Sequence, residues 1–113
     1  MDGISLIGYP VRDIKKAKEL YSSFLNSEPY VEGPYYVGFK TGNVEIGLDP
    51  RGHEKGSGGP ICYRDTKDIR KSLEELVRAG AKQLQPVTEV GGGLLIALAN
   101  DLDGSVIGLR QMP

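Results

Sequence analysis

Asp13-Ile14-Lys15-Lys16 recurs as Asp68-Ile69-Arg70-Lys71 at an offset of 55 residues, and Ile46-Gly47-Leu48 recurs as Ile107-Gly108-Leu109 at an offset of 61. In each half the first motif follows a short β-rich run and opens an amphipathic helix, whereas the second lies in a later β-type run. The order of the elements repeats together with the letters. We therefore interpret the chain as one strand-helix-strand-strand-strand module present twice.

The first half begins with a strand at Ile4–Val11 and a helix that Asp13 caps and that ends near Asn26. A hairpin over 35–41 and 44–49 turns at Gly42-Asn43, and a short strand around Tyr30 precedes it. The helix positions predicted to face the core are Ile14, Ala17, Leu20, Tyr21, Phe24 and Leu25. The second half repeats this order, with a strand at 61–65, a helix at 68–79 stopped by Gly80, and strands at 82–87, 94–99 and 105–111. Its inward helix positions are predicted to be Ile69, Leu73, Leu76 and Val77.

Length and composition predict one domain over 1–113, with module one at about 1–50, an exposed connector at 51–59 and module two at about 60–113. A hydrophobic content of 39%, a charged content of 26% and a net charge of -1 favour an ordinary protein in solution, with no attraction to nucleic acid or to anionic lipid. No apolar run is long enough to cross a membrane, and Cys62 is the single cysteine. We expect a cytoplasmic protein.

Three stretches carry a resemblance to a known family: Tyr9-Pro10-Val11-Arg12-Asp13-Ile14, Gly80-Ala81, and the run 101–109 that begins Asp101-Leu102-Asp103-Gly104. In their order and spacing they resemble the vicinal oxygen chelate superfamily, which is the glyoxalase, bleomycin-resistance and extradiol-dioxygenase group. Leu102 and Ser105 depart from the usual turn of that family. The resemblance implies an α+β fold in which tandem βαβββ modules form a curved mixed sheet around a cleft, with the helices on the outer face.

Enzymes of that superfamily place metal ligands on the first and last strands of each module. Carried over to this chain, the four positions are Leu6, Gly47, Ile61 and Gly108, and they obey the same offsets of 55 and 61. None of these side chains offers a lone pair to a divalent metal, so we expect no metal and no cofactor. His53 is expected in a solvated loop, and Cys62 is expected as a buried, inert thiol on the opposite face of its strand.

Strand alternation then divides the remaining residues between the two faces of the sheet. Val44, Ile46, Leu48, Ile107 and Leu109 are assigned to the helix side. On the middle strands either Tyr36 or the pair Tyr35 and Phe39 could face the cleft. The predicted ligand-binding residues are Leu6, Tyr36, Phe39, Glu45, Ile61, Tyr63, Val106 and Arg110. In the alternative interpretation the tyrosines fill a small core, and Glu45 and Arg110 are rim residues in water.

The leading functional hypothesis is a metal-independent protein that binds or sequesters a small molecule, similar in kind to bleomycin-resistance proteins. A second hypothesis is an enzyme of the same superfamily with Glu45 as general base and with Arg110 or Tyr63 stabilising negative charge. A third is a non-catalytic interaction module whose cleft face pairs with another copy, and the exposed sheet edges favour a homodimer. Serine-triad, phosphate-loop and nucleic-acid-binding patterns find no support in the sequence.

Overall fold

A computed structural model of the chain describes residues 3–56 and 58–113. Residues 1–2 of the first predicted module and Ser57 of the predicted connector lie outside this range. The helices are α1 at Ile14–Leu25 and α2 at Ile69–Arg78. The strands are β1 at Ile4–Pro10, β2 at Val31–Gly33, β3 at Tyr36–Thr41, β4 at Val44–Asp49, β5 at Ile61–Asp65, β6 at Lys82–Glu89, β7 at Leu95–Asn100 and β8 at Val106–Gln111. The predicted α+β class and its two successive βαβββ modules are confirmed.

The chain forms two compact units, of which the first is Ser5–Ile61. Its strands lie in the order β2-β3-β4-β1, with β1 parallel to β4 and the other neighbours antiparallel. Helix α1 packs on β3 and β4. The core of this unit consists of buried residues from these two strands, namely Val37, Phe39, Ile46 and Leu48. Ile46 and Leu48 therefore lie on the helix side, as predicted.

Helix α1 begins and ends where the sequence indicates. The Asp13 carboxylate accepts a hydrogen bond of 3.1 Å from the Lys16 N–H, and Asn26 adopts a left-handed conformation with φ of 50° at the C-cap. Two predictions about its inward face are wrong, because Leu20 is 66% exposed and Phe24 is 75% exposed. The residues that pack against the strands are Ile14, Ala17, Tyr21 and Leu25. These four residues cover β3 and β4. The apolar stripe of α1 is therefore wider than the part of the helix that contacts the strands.

The second unit consists of Cys62–Pro113 with the N-terminal residues 3–4, and its strands lie in the order β5-β8-β7-β6. Strand β5 is parallel to β8, and the other neighbouring strands are antiparallel. Helix α2, capped by the Asp68 carboxylate, packs on β6, β7 and β8. Its core cluster is Ile69, Leu73, Ala97, Ala99 and Leu109, with Leu76 and Ile107 packed against it.

Two predictions for this unit are wrong. Val77 is 45% exposed, although its helical spacing placed it inward. Cys62 is exposed, although a buried thiol was expected. The helix lies across β6, β7 and β8, and Cys62 lies on β5, beyond the area that the helix covers.

The predicted connector contains a 3-10 helix at Gly52–Lys55, and His53 is half-buried within it. Gly52 lies against β1 so closely that a Cβ atom there would be 2.7 Å from the Cα of Pro10. Lys55 adds an ion pair of 3.0 Å to Asp49 at the end of β4. The segment is therefore more ordered than an exposed loop, because it packs on the first unit. Within the described residues, neither helix has the length and hydropathy needed to cross a membrane.

Candidate functional site

The first unit carries a row of glycines on the side of its sheet that faces away from α1. Register pairs Gly8 on β1 with Gly47 on β4, and Gly47 with Gly38 on β3. In the next row Leu6 lies opposite Glu45, and Glu45 lies opposite Lys40. Paired residues point to the same side of a sheet. We call this surface the Glu45 face and define it as Leu6, Gly8, Tyr36, Gly38, Glu45 and Gly47.

Tyr36 covers the glycine row and is fixed by Glu45. The Tyr36 hydroxyl donates a short hydrogen bond to Glu45 Oε2, and both side chains are half-buried. A Cβ atom at Gly47 would lie 2.7 Å from Tyr36 Cε1, and one at Gly38 would lie 3.0 Å from Tyr36 Cε2 and 2.9 Å from Glu45 Oε2. Glycine is therefore needed at both positions to make room for the ring and the carboxylate.

The second unit has a related arrangement, which we call the Arg110 face and define as Tyr63, Asp65, Val106, Gly108 and Arg110. Tyr63 pairs in register with Gly108, and a Cβ atom at Gly108 would lie 2.6 Å from Tyr63 Cε2. The next pair in register is Asp65 and Arg110. Arg110 Nε donates to Asp65 Oδ1 at 2.7 Å, and its Nη2 donates to Oδ2 at 3.3 Å. This two-point contact commits the Arg110 charge to Asp65.

Burial separates the predicted ligand-binding residues into two groups. Five of them expose 7% of their surface or less, namely Leu6, Phe39, Ile61, Tyr63 and Val106. Tyr36, Glu45 and Arg110 are half-buried and keep some exposed surface. Tyr36 and Glu45 therefore keep surface that another molecule could contact, whereas the buried residues act mainly through packing.

Phe39 and Tyr35 lie away from the Glu45 face. Phe39 is fully buried on the helix side, opposite Ile46, and Tyr35 is exposed with the Arg51 guanidinium 4.7 Å from its ring centre. The structure thus selects Tyr36 from the two registers that the sequence left open. Asp65 was missed in the sequence, although its position two residues after Tyr63 on one strand placed it on the same face.

The residues at the metal positions implied by the resemblance do not fit a metal ion. Leu6 and Ile61 have hydrocarbon side chains, and the surfaces of Gly47 and Gly108 are covered by tyrosine rings. Among the residues that the structure describes, no cluster of three or more histidine, cysteine, aspartate or glutamate side chains could hold a metal. His53 lies in the 3-10 helix. No step of a mechanism can be routed through a chelated metal with this donor set.

The fold and the residues at these four positions define a class: a duplicated βαβββ protein in which Leu6, Gly47, Ile61 and Gly108 stand where a chelate site would have its ligands. The sequence model of the Glyoxalase/Bleomycin resistance protein/Dioxygenase superfamily matches residues 3–109, and the chain belongs to that superfamily. The predicted resemblance is confirmed. No curated protein matches the chain.

Solved structures of similar fold include proteins with different names. A structure named as an NAD-dependent benzaldehyde dehydrogenase from Legionella pneumophila has a TM-score of 0.80 at 16% identity, covering 96% of this chain and 98% of its own. A superfamily member from Vibrio splendidus 12B01 has a TM-score of 0.73 at 14% identity, covering 99% and 100%. Methylmalonyl-CoA epimerase from Mycobacterium tuberculosis has a TM-score of 0.72 at 15% identity, covering 98% and 88%. At such identities the likeness concerns the fold alone.

Proposed function

We propose that the Glu45 face binds a small organic molecule and that binding needs no metal ion. The observation that carries this proposal is the hydrogen bond from Tyr36 to Glu45 above the paired glycines 38 and 47. A fixed aromatic ring and a fixed carboxylate lose little side-chain entropy when a ligand binds. The glycines leave room for the ring to lie flat over the sheet, so that its outer side faces a ligand.

The chemistry of this face indicates what kind of group it would hold. Glu45 accepts a hydrogen bond from Tyr36 at Oε2, and each oxygen of a carboxylate can accept from more than one donor. The Tyr36 ring offers a flat apolar surface next to it. A ligand with a planar or apolar body and an N–H or O–H donor directed at Glu45 satisfies both requirements.

Binding is tested by screening a library of small aromatic and heteroaromatic amines and alcohols against ¹⁵N-labelled protein, in buffer containing EDTA. Ligands should shift the amide signals of residues 36–38 and 45–47. Glu45→Gln should lower the affinity for these ligands about tenfold, as loss of a charge-assisted hydrogen bond does. Tyr36→Phe should also lower this affinity.

The matched controls make the same chemical changes on exposed residues elsewhere. Glu19→Gln on α1 and Tyr35→Phe, whose ring contacts Arg51, should leave affinity unchanged. Ligands that bind Glu45→Gln and Tyr36→Phe as tightly as the wild type would refute the proposal, and so would binding that disappears in EDTA.

An enzyme with Glu45 as general base is the second candidate. The Tyr36 hydroxyl on Glu45 gives a carboxylate and a phenol in direct contact, and such a pair can accept and return a proton. A protein of similar fold is a methylmalonyl-CoA epimerase, so CoA esters are a rational first set of substrates. Turnover of a CoA ester that persists unchanged in Glu45→Gln would rule this assignment out, whereas its loss with retained ligand binding would favour catalysis over sequestration.

A dimeric interaction module is the third candidate, and it is favoured by apolar side chains on α1. Leu20 and Phe24 are exposed and lie four residues apart on one helix face. A homodimer in the cytoplasm would cover them. Sedimentation equilibrium at micromolar concentration should then show a dimer. Leu20→Lys should dissociate this dimer, and the control Lys15→Gln should leave it intact. A wild-type protein that is monomeric would exclude this role.

A further inference from the structure

The second unit contains an open groove between α2 and β6 that the proposed function does not use. Its volume is about 830 Å³, which is within the range of small-molecule sites. The helix contributes residues from one face at spacings of three and four, and the strand contributes Gln83, Pro86 and Val87. The groove lies wholly within the second unit and is lined by Arg70, Leu73, Glu74, Val77, Arg78, Gln83, Pro86 and Val87.

The base of the groove is apolar, and part of the apolar side of the helix is left uncovered there. Leu73 is buried, Val87 is half-buried, and Val77 is 45% exposed although it lies on the apolar side of α2. The register of β6 against β7 is irregular between Gln83 and Gln85 and again between Gln85 and Thr88, where Pro86 lies. Such irregularities are typical of a bent strand, and β6 forms the other wall of the groove.

Charged residues lie at intervals of four along the helix side of the groove. Arg70 is in the first turn of α2, Glu74 is in the middle and Arg78 is the last helical residue. Within the described part of the chain none of the three forms an ion pair. Glu74 lies four residues from each arginine, and only Arg70 lies in the first turn, where the helix dipole also favours an anion. The Arg70 end of the groove therefore combines a cation with a helix N-terminus, next to the apolar surface of Leu73, Val77 and Val87.

We propose that this groove binds an amphipathic carboxylate, with the carboxylate at Arg70 and the hydrocarbon chain along Leu73, Val77 and Val87. Arg70 supplies a two-point, charge-assisted contact for the head group. The chain covers the apolar surface that β6 leaves open. Glu74 repels an anion from the middle of the groove, and the helix dipole favours Arg70 over Arg78 as the partner of the carboxylate.

The test is a titration of ¹⁵N-labelled protein with decanoate below its micelle concentration, with decanol as the uncharged probe. Decanoate should produce saturable shifts at residues 70–78 and 83–87 and should bind more tightly than decanol. Arg70→Gln should lower the affinity for decanoate about tenfold, as loss of a charge-assisted hydrogen bond does. Val77→Asp should abolish binding, and circular dichroism will verify that each variant is folded.

Lys71→Gln is the matched control, because Lys71 is an exposed cation on α2 that does not line the groove. It should bind decanoate like the wild type, and so should Glu45→Gln, since this site is independent of the Glu45 face. The proposal is overturned if decanol binds as tightly as decanoate or if Lys71→Gln weakens binding as much as Arg70→Gln. It is equally overturned if the signal shifts do not saturate with decanoate. A wild-type dimer that Val77→Asp dissociates would also overturn it, because the groove would then be covered by a second copy.

Discussion

The two modules cover a duplicated glycine with a tyrosine ring, but they take the tyrosine from different strands. In the first module Tyr36 comes from β3, the antiparallel neighbour of the strand that carries Gly47. In the second module Tyr63 comes from β5, the parallel neighbour of the strand that carries Gly108. Tyr36 is half-buried and bonded to Glu45, whereas Tyr63 is 3% exposed. The same duplicated glycine therefore lies under a half-buried tyrosine in the first module and under a buried tyrosine in the second.

Burial, and not residue type, separates a candidate binding face from a structural one in these two modules. The charge on the Arg110 face is held by Asp65, and its tyrosine has almost no exposed surface. On the Glu45 face the tyrosine and the carboxylate keep surface that a ligand could reach. We therefore expect substitutions on the Arg110 face to act on stability and substitutions on the Glu45 face to act on binding.

Gly108→Ala should have the largest effect on stability. Its new Cβ would lie 2.6 Å from Tyr63 Cε2, and the buried ring cannot move into water to relieve the overlap. We expect a loss of about 3 kcal/mol in the free energy of unfolding, at the upper end of the usual cost of overpacking. Urea denaturation followed by circular dichroism measures it. Gly59→Ala, where a Cβ meets nothing within 4 Å, is the control and should cost much less.

Asp65→Asn should rank second, because the Arg110 side chain is 12% exposed and its contact with residue 65 would lose the negative charge. We expect destabilisation of about 2 kcal/mol, in the range for hydrogen bonds to charged groups. Glu32→Gln is the matched comparison, since its ion pair with Lys18 is more exposed and should contribute less. Equal losses in the two variants would mean that the Arg110 face does not depend on its ion pair.

Gly47→Ala should cost about 1.5 kcal/mol, less than Gly108→Ala, because Tyr36 is half-buried and can swing outward. Combining it with Tyr36→Ala should remove most of that cost, since the overlapping ring is then absent. A double-mutant cycle by urea denaturation measures the coupling. A cost at Gly47 that equals or exceeds that at Gly108 would remove the distinction between the two modules.

Tyr36→Phe should have the smallest effect on stability, about 1 kcal/mol for one hydrogen bond. Its larger consequence should be on ligand affinity, because Glu45 loses the group that orients it. Tyr35→Phe should change neither quantity. A Tyr36→Phe protein that binds ligands normally would make Tyr36 a packing residue and leave Glu45 to act without it.

Much of the fold was predictable because the helix caps, the glycine turn and the repeated motifs are local signals. The helix faces were predicted less well: Leu20, Phe24 and Val77 have helical spacing but lie outside the area that the strands cover. Apolar periodicity gives the direction of a stripe and does not give the width of its contact.

The register of the middle strands was left open, although the sequence contained enough to decide it. The Gly42-Asn43 turn pairs Thr41 with Val44, and the same register pairs Phe39 with Ile46. Since Ile46 was already assigned to the helix side, Phe39 had to follow it there, which leaves Tyr36 on the Glu45 face. The hydrogen bond of Tyr36 to Glu45 depends on side-chain rotamers, and alternation alone does not specify those.

Tyrosine rings and hydrocarbon side chains occupy the positions of a chelate site, and we therefore propose that the Glu45 face binds its ligand without a metal. Elemental analysis of the protein after incubation with excess zinc, nickel, manganese or ferrous iron and removal of free metal tests this directly. The wild-type protein is expected to retain far less than one metal ion per chain. Retention of one ion per chain with micromolar affinity, lost in Glu45→Gln, would contradict it.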